Sequence, residues 1–142
     1  PDQNFEIGKA WQVHEGTDVT IVATGHLVWE SILAAQELEK EGISVDLINI
    51  HTIKPLDEEA IIKSAKKTGC VVTAEEHQIL GGLGGSVSQC LSRNFPVPME
   101  MIGVNDSFGE SGTPAQLMTK YGLDAKNVHE AVKNVMSRKA LV

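Results

Sequence analysis

Basic charge is what this 142-residue chain has least of: nineteen Asp and Glu stand against twelve Lys and Arg, a net charge of −7. A nucleic-acid or anionic-membrane partner calls for the opposite balance, so neither is expected. The nearest basic clusters, Lys66-Lys67 and Arg138-Lys139, fall where helices should end, and complementing a helix dipole accounts for them. Cysteine is scarce as well. Cys70 and Cys90 show no CxxC spacing, which speaks against a metal or redox role for the pair and reads as two buried, reduced thiols of a cytoplasmic protein. Long apolar runs are missing: none approaches the ~20 residues of a membrane helix, and no signal peptide opens the chain. There is no internal repeat, linker or low-complexity tract. The first residue is Pro1 rather than Met, which reads as a processed chain or an excised piece of something longer.

What is present is an ordinary globular mixture, 42% hydrophobic and 22% charged, long enough for one domain over residues 1–142 that buries roughly two-thirds of its unfolded surface. Asp18 to Ala23 is β-branched and stops at Thr24-Gly25, a buried strand running into a turn. Val28, Ile32, Ala35 and Leu38 recur at helical spacing and predict an amphipathic helix closed by Lys40 and Gly42. Ile43 to Ile50 is a second strand: Ile43, Val45 and Leu47 alternate with Ser44 and Asp46 before both faces become apolar. Pro55 breaks the chain, and Asp57-Glu58-Glu59 opens a helix that Lys63, Lys66, Lys67 and Gly69 close. Cys70 to Ala74 is the third strand, Met99 to Val104 the fourth. Between them a helix carries Val87, Cys90 and Leu91 on one face and is broken by Phe95-Pro96-Val97-Pro98. Thr113-Pro114-Ala115-Gln116 opens a short helix, and Asp124 caps a final one with Val128, Ala131, Val132, Val135 and Met136 on its apolar face. Such alternation means βαβ crossovers and a mostly parallel sheet covered on both sides, with Lys9 to His14 as one more strand at an edge.

Chemistry concentrates between residues 75 and 86. The third strand leads into Glu75-Glu76-His77, and a glycine-rich turn, Gly81-Gly82-Leu83-Gly84-Gly85-Ser86, opens a helix. Alternation puts Glu75 and His77 on one face and Glu76 on the other, beyond a parallel strand's carboxyl end, where open α/β sheets carry ligands. Glu75, Glu76, His77, Gly82, Gly84, Gly85 and Ser86 therefore form the candidate site, either an anion site at a helix N-terminus or an interdomain contact. As a dinucleotide loop the segment is imperfect, because Val87 stands where the third glycine of G-x-G-x-x-G belongs and the loop lies in the third crossover. Asp106, roughly the required twenty residues on, is where a ribose-binding acid would fall. No Lys precedes Ser86, which excludes a Walker loop. Histidines 26 and 51 follow the first two strands and share an edge with His77, whereas no spacing names a third metal ligand. Ser111, in Gly109-Glu110-Ser111-Gly112, imitates half of a nucleophile elbow without the strand that elbow needs. His14 and His129 have no motif around them.

Four segments in this order resemble the C-terminal domain of transketolase: Phe5 to Ala10, Thr52-Ile53-Lys54-Pro55-Leu56-Asp57, Glu75-Glu76-His77 with Gly81-Gly82-Leu83-Gly84, and Ser111 to Leu117 followed by Tyr121-Gly122-Leu123-Asp124. The resemblance implies a three-layer α/β/α domain with a mixed five-stranded sheet, one edge strand antiparallel. It implies a parent enzyme that moves a two-carbon ketol unit between sugar phosphates. In that family thiamine diphosphate and magnesium are held by two preceding domains at a dimer interface, so the resemblance carries no catalytic, cofactor or metal residue onto this chain. The partners it implies are the upstream catalytic domains and a second copy, in a homodimer. The related 1-deoxyxylulose-phosphate synthase and 2-oxo-acid dehydrogenase beta subunits share the domain, and His77 with Ile53 to Asp57 favours transketolase over both. An independent nucleotide-binding module is the competing reading.

Overall fold

In the computed structural model of the protein, residues 9–51, 53, 55–78, 82–104 and 124–139 are described. They form strands β1 (Trp11–His14), β2 (Val19–Ala23), β3 (Val45–Asn49), β4 (Val71–Gln78) and β5 (Met99–Val104), and helices α1 (Leu27–Lys40), α2 (Glu58–Thr68), α3 (Leu83–Asn94) and α4 (Ala125–Lys139). The sheet order is β1-β3-β2-β4-β5. β1 runs antiparallel to β3 at one edge, and the other pairings are parallel. This is the mixed five-stranded α/β/α architecture that the resemblance implies.

Alternation along the strands sorts two cores. Val19, Ile21, Val45, Leu47, Val72 and Ala74 pack with Leu27, Leu38, Val128 and Val132, so α1 and α4 cover one face. Val22, Ile48 and Val71 pack with Ile61, Leu83, Val87 and Leu91, so α2 and α3 cover the other. Each such Val, Leu or Ile contributes about 1.5–3 kcal/mol when fully buried. Helix α2 begins and ends where its signals lie: the Asp57 carboxylate accepts from Ala60 N–H, and Gly69 closes the helix at φ 82°. The other oxygen of Asp57 accepts from Ala10 N–H at 2.7 Å, which fixes the chain just before β1 to the start of α2. Asp124 caps the last helix through Asn127 N–H.

Three expectations need correction. The buried face of α1 is Leu27, Ser31, Ala34, Ala35 and Leu38, with Val28 and Ile32 at its margin, because small residues let the helix lie close to the sheet. Asp46, expected on a polar strand face, is 1% exposed. Its carboxylate accepts from Gly16 N–H, Gln12, Ser64 and Lys67, tying the edge strand to α2. The basic pairs also do more than complement dipoles: Lys67 meets Asp46, Lys139 donates to the Asp18 carbonyl, and Arg138 bridges Glu100 and the Met99 carbonyl. The short helix at Thr113, Asp106 and Ser111 lie outside the described residues. Among the described residues no helix is long and apolar enough to cross a membrane.

Candidate functional site

The connection from β2 leads to β3 on one side, while that from β3 passes over to β4 on the other. The carboxyl ends of β2 and β4 therefore flank the topological switch point, where open α/β sheets hold ligands. Two helices start there: α1 after Gly25-His26, and α3 after Gly82. Neither has a side-chain cap of its own. The first N–H groups of a helix need acceptors and attract negative charge.

Strand β4 supplies both acceptors. It runs past Ala74, where the sequence suggested an end, to Gln78, with an irregularity against β5 after Ala74. Glu75 turns toward α3 and is 2% exposed; its carboxylate accepts from Leu83 N–H at 2.9 Å and from Gly84 N–H at 2.7 Å. Glu76 points to the opposite face, where it accepts from His26 N–H at 2.7 Å. Two consecutive carboxylates thus occupy the helix N-termini on both sides of the switch point. The strand continues through the two acids because each finds a partner: a carboxylate in good hydrogen bonds to backbone N–H groups is tolerated where a bare one is not. A signal for this was present in the sequence: neither Gly82 nor His26 brings a side-chain oxygen to cap its helix, and an acidic pair stands a few residues before Gly82, at the end of the strand beside the one that leads to His26.

The glycines serve close approach here more than unusual torsion. A Cβ on Gly84 would lie 2.8 Å from the Met101 sulfur and 3.1 Å from the Thr73 hydroxyl, so glycine lets α3 settle on β4 and β5 without displacing the Met101 side chain or crowding Thr73. The left-handed torsion occurs instead at Gly25, φ 61°, in the turn beneath Glu76. Gly82 immediately precedes α3; Gly85 and Ser86 lie in its first turn, with Ser86 N–H donating to the Gly82 carbonyl. Position 77 belongs to β4, but the side chain of His77 is not among those described. His26, His51 and His77 follow or end three neighbouring parallel strands at the same end of the sheet, as the sequence suggested. His26 lies 3.6 Å from Glu30. No three His, Cys, Asp or Glu side chains converge as a metal set among the described residues.

Burial pushes both the Cys70 and the Cys90 thiols above the usual cysteine range. Glu41, at the end of α1, is held below the usual carboxylate range by hydrogen bonds from Lys133 first and His129 second, and so clasps α1 to α4. At the other end of the pair, Glu30 accepts from Ala125 N–H at 2.9 Å, capping α4.

Residues 8–128 match the family described as Transketolase, C-terminal domain. The 6-deoxy-6-sulfo-D-fructose transketolase subunit SqwH of Clostridium sp. (strain MSTE9) is 49% identical over 97% of this chain and 43% of its own length. A 1-deoxy-D-xylulose-5-phosphate synthase of Syntrophotalea carbinolica is 38% identical over 94% of this chain and 21% of its own. Among solved structures, a "Split gene transketolase, inactive beta4 tetramer" superposes with a TM-score of 0.94 at 47% identity, covering 98% of this chain and 46% of that one. The chain thus spans less than half the length of these relatives. With its sheet order, its paired carboxylates and a match running from β1 into α4, the chain belongs to the transketolase C-terminal domain family.

Proposed function

We propose that this chain is the C-terminal part of a transketolase-type enzyme and contributes assembly rather than chemistry. The whole enzyme would move a two-carbon ketol unit from a ketose phosphate to an aldose phosphate. Thiamine diphosphate and magnesium would sit in the preceding domains, and the enzyme would be a homodimer. The observation that carries this reading is the Glu75-Glu76 pair: the helix N-termini best placed to receive a phosphate already hold the chain's own carboxylates.

The described residues do not fit thiamine diphosphate. Leu83 and Gly84 N–H would have to exchange Glu75 for the diphosphate, with a carboxylate left beside it, and no metal-ligand set lies nearby among them. No step of ketol transfer is therefore assigned to this chain. The same occupancy disfavours the independent nucleotide-binding module. The solved relative is a split-gene chain in an inactive tetramer, which supports both catalytic silence and self-association.

The test is turnover. Supplied with thiamine diphosphate, magnesium and a ketose phosphate, the chain alone gives no product. Adding the preceding half of the enzyme restores transfer to an aldose phosphate. Activity of the chain by itself refutes the proposal. The identity to synthases over nearly the whole chain sustains a second reading, in which the restored enzyme makes 1-deoxyxylulose 5-phosphate instead.

A further inference from the structure

Both tryptophans of the chain lie at the carboxyl end of the sheet, and on the same face. Trp11 opens β1 opposite Asn49, the last residue of β3, so it shares that residue's face, the one covered by α1. Trp29 lies in the first turn of α1, which starts at the same end. Trp29 is 56% exposed and Trp11 38%, two of the three large apolar side chains that stand out from the described surface. Val28, Ile32 and Leu33, on the same helix as Trp29, are half-buried apolar residues. Trp11 and Trp29 thus offer two large apolar side chains to a partner on this face.

The chain also enters at this end. Ala10 N–H is held by Asp57 at the start of α2, so the first described residues lie beyond the carboxyl end of β3, on the side of the sheet that α2 covers. The family is by its description a C-terminal domain, and the curated relative at 49% identity has more than half its length outside the match. A small anionic ligand is a poor occupant, because Glu75 and Glu76 fill the adjacent helix N-termini.

We infer that the strip from Trp11 to Trp29 is the docking surface for the preceding, cofactor-holding half of the enzyme, with the two indoles as its anchors. The inference rests on the functional reading above and adds the surface. Tryptophan is enriched among the few residues that carry most of an interface's binding energy, and replacing either by Glu should weaken assembly roughly thirtyfold or more, which is about 2 kcal/mol.

The experiment titrates the chain, labelled with 5-fluorotryptophan, with the preceding half of the same enzyme, and follows the two fluorine resonances and the sedimentation of the complex. Both resonances shift on assembly; Trp11→Glu and Trp29→Glu assemble at least thirtyfold more weakly. Glu37→Lys, at the far end of α1, assembles as wild type does. Melting curves show that the variants fold. Unshifted resonances, or tryptophan variants that assemble normally, overturn the inference while leaving the functional reading intact. A complex that forms normally beside a self-associated chain that Trp29→Glu dissolves assigns the strip to a second copy, and overturns this occupant. Wild-type halves that never associate sink the functional reading itself, and the inference with it.

Discussion

Removing the Glu75 carboxylate perturbs the site most directly. Glu75→Ala leaves Leu83 N–H and Gly84 N–H without their acceptor at the buried start of α3. Hydrogen bonds to a charged group contribute about 1.5–3 kcal/mol each, and an unpaired buried N–H adds its own desolvation cost, so a loss of about 3–4 kcal/mol is expected. For a chain of this length that lowers Tm by about 10 °C. Glu75→Gln keeps the shape but has only one accepting oxygen, and should lose about half as much. Glu76→Ala is the internal comparison. It removes a single bond at a more exposed place, and should cost about 1 kcal/mol or less. Urea and thermal unfolding of the four proteins, followed by circular dichroism, measure the series. If Glu75→Ala costs under about 1 kcal/mol, or no more than Glu76→Ala, the carboxylate is not holding α3 and the reasoning fails.

Other consequences follow from the same packing. A Cβ at Gly16 would lie 2.2 Å from the Val45 backbone, so Gly16→Ala should cost about 3 kcal/mol or more, whereas Gly42→Ala, with open space but φ 84°, should cost about 1 kcal/mol; equal melting temperatures contradict this. Cys70 and Cys90 are buried with raised thiol pKa, so neither reacts with a disulfide reagent at neutral pH until the chain unfolds. A fast-reacting thiol in the native protein contradicts that burial. Glu41 has a depressed pKa when folded, so its stabilisation is present above the unfolded value of about 4.3 and fades as pH falls through the folded one. The Tm difference between wild type and Glu41→Gln should therefore shrink on acidification below pH ~4, and a difference independent of pH refutes the clasp.

What the sequence made legible was local. Asp57, Gly69 and Asp124 mark helix ends within a few residues of the groups they satisfy, and the structure places caps at all three. Strand alternation predicted which side Glu75 and Glu76 would take, and their contacts to α3 and α1 follow it. What stayed hidden depended on partners far along the chain. Asp46 looks like a solvent-facing residue because Gln12, Gly16 and Lys67 are invisible to a short window. The end of β4 looked too early because charge normally stops a buried strand, and the N–H groups that offset it belong to α3 and to the turn before α1. The margin of α1 was misjudged for a related reason: large apolar residues dominate a periodicity count, while Ser31 and Ala34 are what touch the sheet. That the glycine turn lets a helix approach the sheet was legible, but which side chains Gly84 meets there, Met101 and Thr73, depends on contacts across the fold.

The central claim is that the chain's own acids hold the helix N-termini at the switch point. Amide chemical shifts of Leu83, Gly84 and His26, recorded by NMR while AMP or pyrophosphate is added, test it most directly. These three signals are expected to stay where they are at millimolar ligand. Saturable movement of the Leu83 and Gly84 signals would contradict the claim, because an outside phosphate would then be displacing Glu75.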